Sequence, residues 1–302
     1  MDAPQVEPPT SEQPQDATVD LDKVLAWMVE VARTAGAVIL GAPRATAGSP
    51  ASKTHSADLV TETDRAVEKL VREQLMLRYP TFELTPSPTF IVDPIDGTTN
   101  FIHTYPYACV SIGLAISRTP VAGVVYNPYT QHLFSAATNR GAANPLALRR
   151  HYRRDWMDAP PLPQRLDGCL VIAEWGNERT GNDYDVKVAT FRRLCADKRD
   201  GGAMVHSIRS VGAAALNLCA VAAGWADLYW EAGAWAWDFC AGWVVLWEAG
   251  GRVVDANPGR WEIPVDGRRC LAVRGGEGWR PLVLEFWGCI EGRLEVGGDV
   301  IL

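Results

Sequence analysis

The chain has 302 residues, enough to bury a large core in one domain or in two fused halves. Its 47% hydrophobic and 22% charged residues are ordinary for a globular protein. The formal net charge of -7 argues against nucleic acid as a partner, because phosphate backbones attract basic surfaces. A small anionic substrate remains compatible with this charge, since a bound metal ion can reverse the charge locally.

The first 19 residues are rich in proline, glutamine and acidic side chains and predict a disordered tail. They lack the basic start and apolar stretch of a secretory signal. The seven cysteines form no C-x-x-C pair and mostly lie in apolar runs, which predicts reduced core thiols. No run approaches the length needed to cross a membrane. We therefore expect a cytoplasmic protein with no membrane partner.

Helical periodicity begins after Asp20, which can cap a helix with apolar positions at Val24, Leu25, Met28, Ala32 and Ala35. A second helix is predicted over 63–78 and ends before Pro80. A short apolar strand at 90–92 leads into Asp93, and further strands are predicted at 108–116, 121–126 and 132–137. This half, about 20–144, predicts helices followed by a largely antiparallel sheet.

A stretch rich in proline and arginine, about 145–166, predicts a surface connection to a second half at about 167–302. The second half alternates between strands and helices. Strands are predicted at 169–174, 228–230, 252–254 and 270–273, and helices at 185–195, 211–223 and 238–247. Such alternation predicts a mixed sheet covered by helices on both faces. Residues 20–302 are therefore interpreted as one α/β (mixed α+β) domain with two subdomains.

The segment that carries the chemistry is Asp93-Pro94-Ile95-Asp96-Gly97-Thr98-Thr99-Asn100. Its two carboxylates can converge where the proline bends the chain, and with a freed backbone carbonyl they supply the oxygen ligands that Mg²⁺ prefers. The glycine lets a ligand approach the backbone, and the threonines can open a helix whose N-terminus attracts phosphate. The segment fits metal-assisted hydrolysis of a phosphate ester. The alternative from the residues alone is a strand, an Asp-Gly turn and a capped helix.

Three segments of the chain resemble signatures of the inositol monophosphatase family, and the resemblance covers about 20–290. They are 93–101, then 237–242 closing on 248–251, and 58–64 upstream. The resemblance implies the layered α-β-α-β-α sandwich of that family, normally a homodimer. It also implies Mg²⁺-dependent hydrolysis of a small-molecule substrate, an inositol monophosphate, to myo-inositol and phosphate.

The family resemblance implies a role for each matching residue. Asp93, Asp96 and the carbonyl of Ile95 resemble metal ligands, and Asp238 resembles a ligand of a second Mg²⁺ that also lies against the substrate. Taken without the resemblance, an aspartate at a helix start is more often an N-cap than a ligand.

Thr98, helped by Asp64, resembles the pair that orients the attacking water, which together with Asp93 forms the implied catalytic set. Gly97 and Thr98 would also donate backbone N–H groups to the phosphate. These assignments rest on the resemblance and not on spacing.

Other positions resemble the family's substrate contacts, and each has a structural alternative. Glu231 matches an inositol-hydroxyl contact or is a surface glutamate. The small residues Gly212, Ala213 and Ala214 match a turn that lines the sugar pocket, or they serve close helix packing. Lys53 matches a basic loop residue near the phosphate, or it is a solvated lysine. The tryptophans between 225 and 247 suit core or interface packing, with a carbohydrate platform as the alternative.

The chain departs from the family at the loop before the first signature, where members usually carry a Gly-Glu-Glu segment that bridges to the metal. Residues 81–92 contain no such segment, and Glu83 is their one acid. Fewer charged ligands weaken divalent-cation binding. An alternative function is therefore a weak or inactive relative with a regulatory or binding role, similar to proteins of quinate metabolism. Another is a phosphatase for a different sugar or nucleotide phosphate, although the continuation 97–101 favours inositol monophosphates.

Overall fold

The computed structural model describes residues 19–42, 51–52, 59–80, 88–143 and 160–296. The predicted tail, apart from Val19, and most of the predicted connection at 145–166 lie outside the described residues. Lys53 and Glu83 also lie outside them.

The two helices predicted near the N-terminus are confirmed. Helix α1 (Leu21–Gly41) begins after Asp20, whose carboxylate accepts the N–H of Lys23 at 3.2 Å. Strands β1 (Ala51–Ser52) and β2 (Leu59–Val60) pair antiparallel. Helix α2 (Glu62–Arg78) begins with a capping box, in which Thr61 and Asp64 each accept the other's backbone N–H. The capping box thus fixes Asp64 at the first turn of α2.

The first sheet is a five-stranded antiparallel meander, as the sequence predicts for this half. Its strands in order are β3 (Thr89–Asp96), β4 (Cys109–Ile116), β5 (Thr119–Asn127), β6 (His132–Ala137) and β7 (Ala142–Ala143). The register between β3 and β4 shifts between Asp93 and Asp96, around Pro94, which has no N–H to give to the ladder. The short helix α3 (Thr98–Ile102) follows directly.

The second sheet is mixed, and its spatial order is β11-β12-β10-β8-β9. Its strands are β8 (Leu170–Ala173), β9 (Ser207–Arg209), β10 (Leu228–Ala232), β11 (Arg252–Val254) and β12 (Arg269–Val273). Strand β8 pairs parallel with β9 and β10, while β12 pairs antiparallel with β10 and β11. Four helices accompany this half: α4 (Asn182–Cys195), α5 (Ala214–Ala222), α6 (Ala236–Glu248) and α7 (Trp279–Trp287).

The apolar clusters stack these elements into five layers. Helices α1 and α2 cover the outer face of the first sheet. Helices α5 and α6 fill the space between the two sheets and contact both. Helices α4 and α7 cover the far face of the second sheet. The predicted α-β-α-β-α sandwich is therefore confirmed.

Two glycines let helix α6 lie directly on the first sheet. A Cβ atom at Gly123 would lie 2.3 Å from the carbonyl oxygen of Ala241, and one at Gly113 would lie 2.5 Å from Sγ of Cys240. Both distances are far below van der Waals contact, so the helix and the sheet meet where side chains are absent. Because Asp238 lies in the first turn of α6, this contact sets its position relative to β3.

Helix α1 corrects one prediction from the sequence. It is 21 residues long and apolar enough to cross a membrane by length and composition. The prediction that no apolar run approaches the length of a membrane span is therefore wrong. Its apolar residues pack against α2 and the first sheet, with Met28, Ala32 and Ala35 fully buried. A helix buried in a protein core satisfies the same length and composition test.

The helix predicted over 211–223 begins three residues later, at Ala214. Gly212 adopts a left-handed backbone with φ of 78°, and the N–H groups of Val211 and Gly212 donate to Glu174 instead of entering a helix. Strand β9 and helix α7 were not predicted. All seven cysteines are free thiols, and only Cys195 among them is exposed.

Candidate active site

Three aspartates converge at the junction of the first sheet and helix α6. Asp93 and Asp96 come from the irregular end of β3, and Asp238 comes from the first turn of α6. One carboxylate oxygen from each lies within 4.8 Å of the others. Asp96 is buried, whereas Asp93 and Asp238 are half-buried at the surface of a cavity. The structure thus brings together residues that are 145 positions apart in the chain, 93 and 238.

Burial and mutual repulsion disfavour the charged forms of these aspartates. Burial raises the pKa of Asp93 well above its ordinary value, and the neighbouring charges of Asp238 and Asp96 raise it further. The pKa of Asp96 rises to about 8, mainly through burial and Asp238, although N–H bonds from Ala215 and Ala214 oppose the rise. A hard divalent cation would remove this repulsion, since its preferred ligands are carboxylate oxygens. The three aspartates therefore fit a divalent metal ion.

Helix α5 holds the buried aspartate in place. The two oxygens of Asp96 accept the N–H groups of Ala214 at 3.1 Å and Ala215 at 2.8 Å, at the start of α5. Negative charge is favoured at a helix N-terminus, which carries unpaired N–H groups. The helices between the two sheets thus position both residues. Helix α5 binds the carboxylate of Asp96, and helix α6 carries Asp238.

A hydroxyl–carboxylate pair lies beside the aspartates. The hydroxyl of Thr98 donates to the carbonyl oxygen of Ile95 at 3.0 Å and lies 3.5 Å from Oδ1 of Asp64. Asp64 in turn accepts the N–H of Thr61 at 2.8 Å and the Thr61 hydroxyl. Burial raises the pKa of Asp64 despite these bonds. The Thr98 hydroxyl is therefore positioned between a backbone carbonyl and a carboxylate that can accept its proton.

The small-residue turn before α5 closes against the first signature. Gly97 has a left-handed backbone with φ of 87°, and a Cβ there would lie 2.9 Å from the carbonyl oxygen of Tyr107 and 3.2 Å from that of Gly212, so the position favours glycine. The amide of Asn100 donates to the carbonyl oxygens of Tyr107 and Val211. These contacts join the two segments, and Gly97, Asn100 and Gly212 line the same cavity as the aspartates.

Glu174, which the sequence did not single out, organises this turn. The residue is 6% exposed, and its carboxylate accepts the hydroxyl of Ser210 at 2.7 Å and the N–H groups of Val211 and Gly212, both at 2.8 Å. The amide of Asn217 donates to it at 3.0 Å. One sequence signal was available, an acid at the end of an apolar strand. Glu174 therefore fixes the backbone of 210–212 at the wall of the cavity.

Glu231 lies in the same cavity, at the end of β10. It accepts a hydrogen bond from the hydroxyl of Tyr229. Burial raises its pKa well above the ordinary value, and the charge of Glu174 adds to the rise. Its surroundings are therefore those of a cavity residue, and the surface-glutamate alternative does not describe them.

The tryptophans near the second signature divide into three groups. Trp230 and Trp243 are buried in the core, while Trp225 and Trp247 are about half exposed at 48% and 50%. Trp235 and Trp237 line the cavity and stack on each other, with ring centroids 5.2 Å apart and an interplanar angle of 15°. Packing thus explains part of the cluster, and two of its members belong to the site.

Comparisons with known proteins agree with this geometry. The sequence pattern of the inositol monophosphatase family matches residues 20–282. The chain is 44% identical to inositol monophosphatase 2 of Saccharomyces cerevisiae over 264 residues, which cover 80% of this chain and 86% of the yeast protein. It is 37% identical to protein qutG of Emericella nidulans over 265 residues, 79% of this chain and 80% of that protein.

A solved structure extends the likeness to the fold. The crystal structure of the extragenic suppressor protein suhB from Bartonella henselae superimposes with a TM-score of 0.71 at 30% identity, covering 90% of this chain and 100% of that one. The resemblance noted from the three signatures is confirmed. The chain belongs to the inositol monophosphatase family.

Proposed function

We propose that this protein hydrolyses inositol monophosphates to myo-inositol and phosphate with Mg²⁺ as its metal ion. The observation that carries the proposal is the convergence of Asp93, Asp96 and Asp238 within 4.8 Å, next to the Thr98–Asp64 pair in one cavity. Hard oxygen ligands beside a general-base pair suit phosphate ester hydrolysis. The name of the similar yeast protein, an inositol monophosphatase, supports the same substrate class.

The aspartates would hold the metal ion, with the carbonyl of Ile95 as a further ligand once the Thr98 hydroxyl releases it. When bound, a divalent cation lowers the pKa of water and stabilises charge on the leaving oxygen. Thr98 would orient the attacking water through its hydroxyl, and Asp64 would accept the proton that Thr98 passes on. Glu231 and the turn at Gly212–Ala214 would bind the hydroxyls of the ring.

The missing Gly-Glu-Glu segment favours one modification of this proposal. The described ligand set contains three carboxylates, and residues 81–92 supply at most Glu83 in addition. We therefore propose that the protein needs more Mg²⁺ than its relatives do. A weak or inactive protein with a binding role is the second candidate, favoured by the same loop.

A Mg²⁺ titration tests the modified proposal. Phosphate release from inositol 1-phosphate should vanish in chelator and return with Mg²⁺, because the carboxylates alone repel the anionic ester. Half-maximal activity should need roughly tenfold more Mg²⁺ than the yeast relative needs under the same conditions, since metal affinity follows the number of charged ligands.

Half-saturation at the yeast protein's Mg²⁺ concentration would show that the metal site is not weakened. If no phosphate is released at any Mg²⁺ concentration while calorimetry shows that inositol 1-phosphate binds, the binding role replaces the enzymatic one.

Glu174→Gln should raise the KM for inositol 1-phosphate about tenfold and change kcat less. An amide can keep an acceptor oxygen where Oε1 accepts the N–H groups of Val211 and Gly212, but it removes the negative charge that strengthens those bonds and places an NH2 group where Oε2 accepts the Ser210 hydroxyl. The turn therefore loses the charged character of hydrogen bonds worth roughly 1.5–3 kcal/mol each. Steady-state kinetics measures both constants. Glu285→Gln is the matched control, because Glu285 also accepts a backbone N–H, from Leu166, but does not line the cavity. Equal KM values in the two variants would contradict the role of Glu174.

Homodimer assembly and a cytoplasmic location stay predictions from the sequence. Multi-angle light scattering on the purified protein would give the mass of the assembly directly, with 33.0 kDa expected for a monomer. Microscopy of a tagged chain in its host would test the location.

A further inference from the structure

The cavity that holds the three aspartates is larger than the proposed reaction needs. Its volume is about 1480 Å³, and Arg179 and Arg268 line it together with the acidic residues. Pockets for small molecules commonly measure roughly 300–1,000 Å³. Space and positive charge are therefore present beyond the metal centre.

Arg268 is held rigidly at this part of the cavity. Its backbone adopts a left-handed conformation with φ of 56°, which is uncommon for a residue other than glycine. Its carbonyl oxygen accepts the N–H of Gly233 at 2.9 Å, and its Nη2 donates to the carbonyl oxygen of Gly233 at 2.8 Å. Both the backbone and the side chain of Arg268 are thus hydrogen-bonded to Gly233, which follows β10.

The tryptophan pair serves as the support of this guanidinium. Arg268 lies over the ring of Trp235, with 3.7 Å between the guanidinium carbon and the ring centroid. Trp237 stacks on the same ring. Trp235 therefore packs against both a guanidinium and a second indole. What this stack presents to the cavity is the cation.

Arg268 also has an unused donor. Its Nε is buried and has no hydrogen-bond partner among the described residues. A buried donor without an acceptor is unfavourable, and most native structures avoid it. Backbone strain, a fixed guanidinium and an unpaired buried donor at one cavity residue together indicate a missing acceptor.

The local charge favours an anionic acceptor. Among the acids whose negative charge acts on Arg268, Glu178 has the largest effect. Its carboxylate is already paired with the buried Lys187 at 2.9 Å. Lys187 also donates to the carbonyl oxygen of Ala232. Arg179, which lies over Trp175 at 4.1 Å, adds a second positive charge to the lining. Asp238 also acts on Arg268 by its charge, but it belongs to the proposed metal centre, so Arg268 and Arg179 are the groups of this wall that are open to a further anion.

We propose that Arg268 is a substrate-binding residue that selects phosphate monoesters with a second anionic group, a carboxylate or a phosphate, on the part that leaves. The inference deepens the proposed function, on which it rests, by naming the substrate class. The guanidinium donates charged hydrogen bonds to that group through Nε and the second N–H of Nη2, which lie on the same edge, in the paired geometry that arginine offers to carboxylate and phosphate.

The test compares matched substrates in the full chain and in Arg268→Gln. Glycerol 2-phosphate and 2-phosphoglycerate differ by a carboxylate, and inositol 1-phosphate and inositol 1,4-bisphosphate differ by a phosphate. The variant should lower kcat/KM for the doubly anionic member of at least one pair by roughly ten- to a hundredfold more than for its partner. The pair that responds identifies the anion as carboxylate or phosphate. Arg280→Gln is the control, because Arg280 also lies over a tryptophan, Trp261, but outside the cavity.

An equal loss for both members of both pairs would overturn the proposal and make Arg268 a structural residue. If Arg268→Gln does not fold, Arg268→Lys carries the test, with a smaller but still selective loss expected. Calorimetric titration of inositol 1,4-bisphosphate and inositol 1-phosphate into Asp93→Asn protein, with and without Arg268→Gln, gives a readout without turnover. Failure of wild-type turnover alone would reject the proposed function, while an affinity ratio that ignores Arg268 would reject this inference alone.

Discussion

Asp93→Asn should lower kcat for inositol 1-phosphate by at least about a thousandfold while the protein stays folded. The amide keeps the size of the side chain and removes one of three converging charges. Metal ions supply several kcal/mol of charge stabilisation in such reactions, and each 1.36 kcal/mol is about a tenfold change in rate. Phosphate release at saturating Mg²⁺ measures the loss.

The same substitution should raise the melting temperature of the metal-free protein at pH 8. Burial and the charges of Asp238 and Asp96 raise the pKa of Asp93 in the fold, so the ionised form opposes folding at every pH above its unfolded value near 3.8. The amide removes that opposition. The gain should shrink as the pH falls through 3.8, below which the wild-type carboxyl is protonated in both states. Calorimetry in chelator at several pH values measures it.

Asp183→Asn supplies a control with the opposite sign. Burial alone would raise the pKa of Asp183, but N–H bonds from Glu295 and Val296 lower it below the ordinary value. Its charge therefore stabilises the fold above pH 3.8, and the amide should lower the melting temperature while kcat is retained. Retained activity in Asp93→Asn, or a lower melting temperature in both variants, would mean that the three aspartates do not form the proposed metal centre.

Local chemistry explains which elements could be predicted from the sequence. Asp20 and Pro80 bound helices whose apolar periods are clear, and the antiparallel strands alternate with turn signals, so these elements agree with the structure. Strand β9 has three residues, too few to establish a period. The start of α5 depends on Glu174, which is 38 positions before Gly212 and captures N–H groups that a local pattern assigns to the helix.

The candidate site divides in the same way. The pair Asp93 and Asp96 is visible locally, because a proline between two acids at a strand end indicates a bend. Asp238 could be connected to them only through the family resemblance. Its position depends on how α6 packs on two glycines of the first sheet, and that contact joins segments far apart in the chain. Arg268 gave no signal at all, because its left-handed backbone and its stacking on Trp235 arise from tertiary contacts.

Gly123→Ala should destabilise the protein by roughly 3 kcal/mol or more, beyond the usual range for one added methyl group in a core. The new Cβ would lie 2.3 Å from the carbonyl oxygen, 2.7 Å from Cα and 2.8 Å from the carbonyl carbon of Ala241. All three are backbone atoms of α6, so no rotamer change relieves the overlap and the helix must move off the sheet. For a chain of this size we expect the melting temperature to fall by about 6–12 °C.

Any molecules of Gly123→Ala that remain folded should also lose activity, because Asp238 lies on the same helix, three residues before Ala241. A displacement of about 1 Å at a catalytic group can cost on the order of a hundredfold in rate. Gly41→Ala is the matched control, since Gly41 is a helix residue with nothing within 4 Å of an added Cβ, and its melting temperature should stay the same or rise slightly. A folded Gly123→Ala protein with wild-type melting temperature would show that α6 does not depend on this contact. If stability falls but kcat per folded molecule is unchanged, the glycine contact supports the fold without setting the distance between Asp238 and the aspartates of β3.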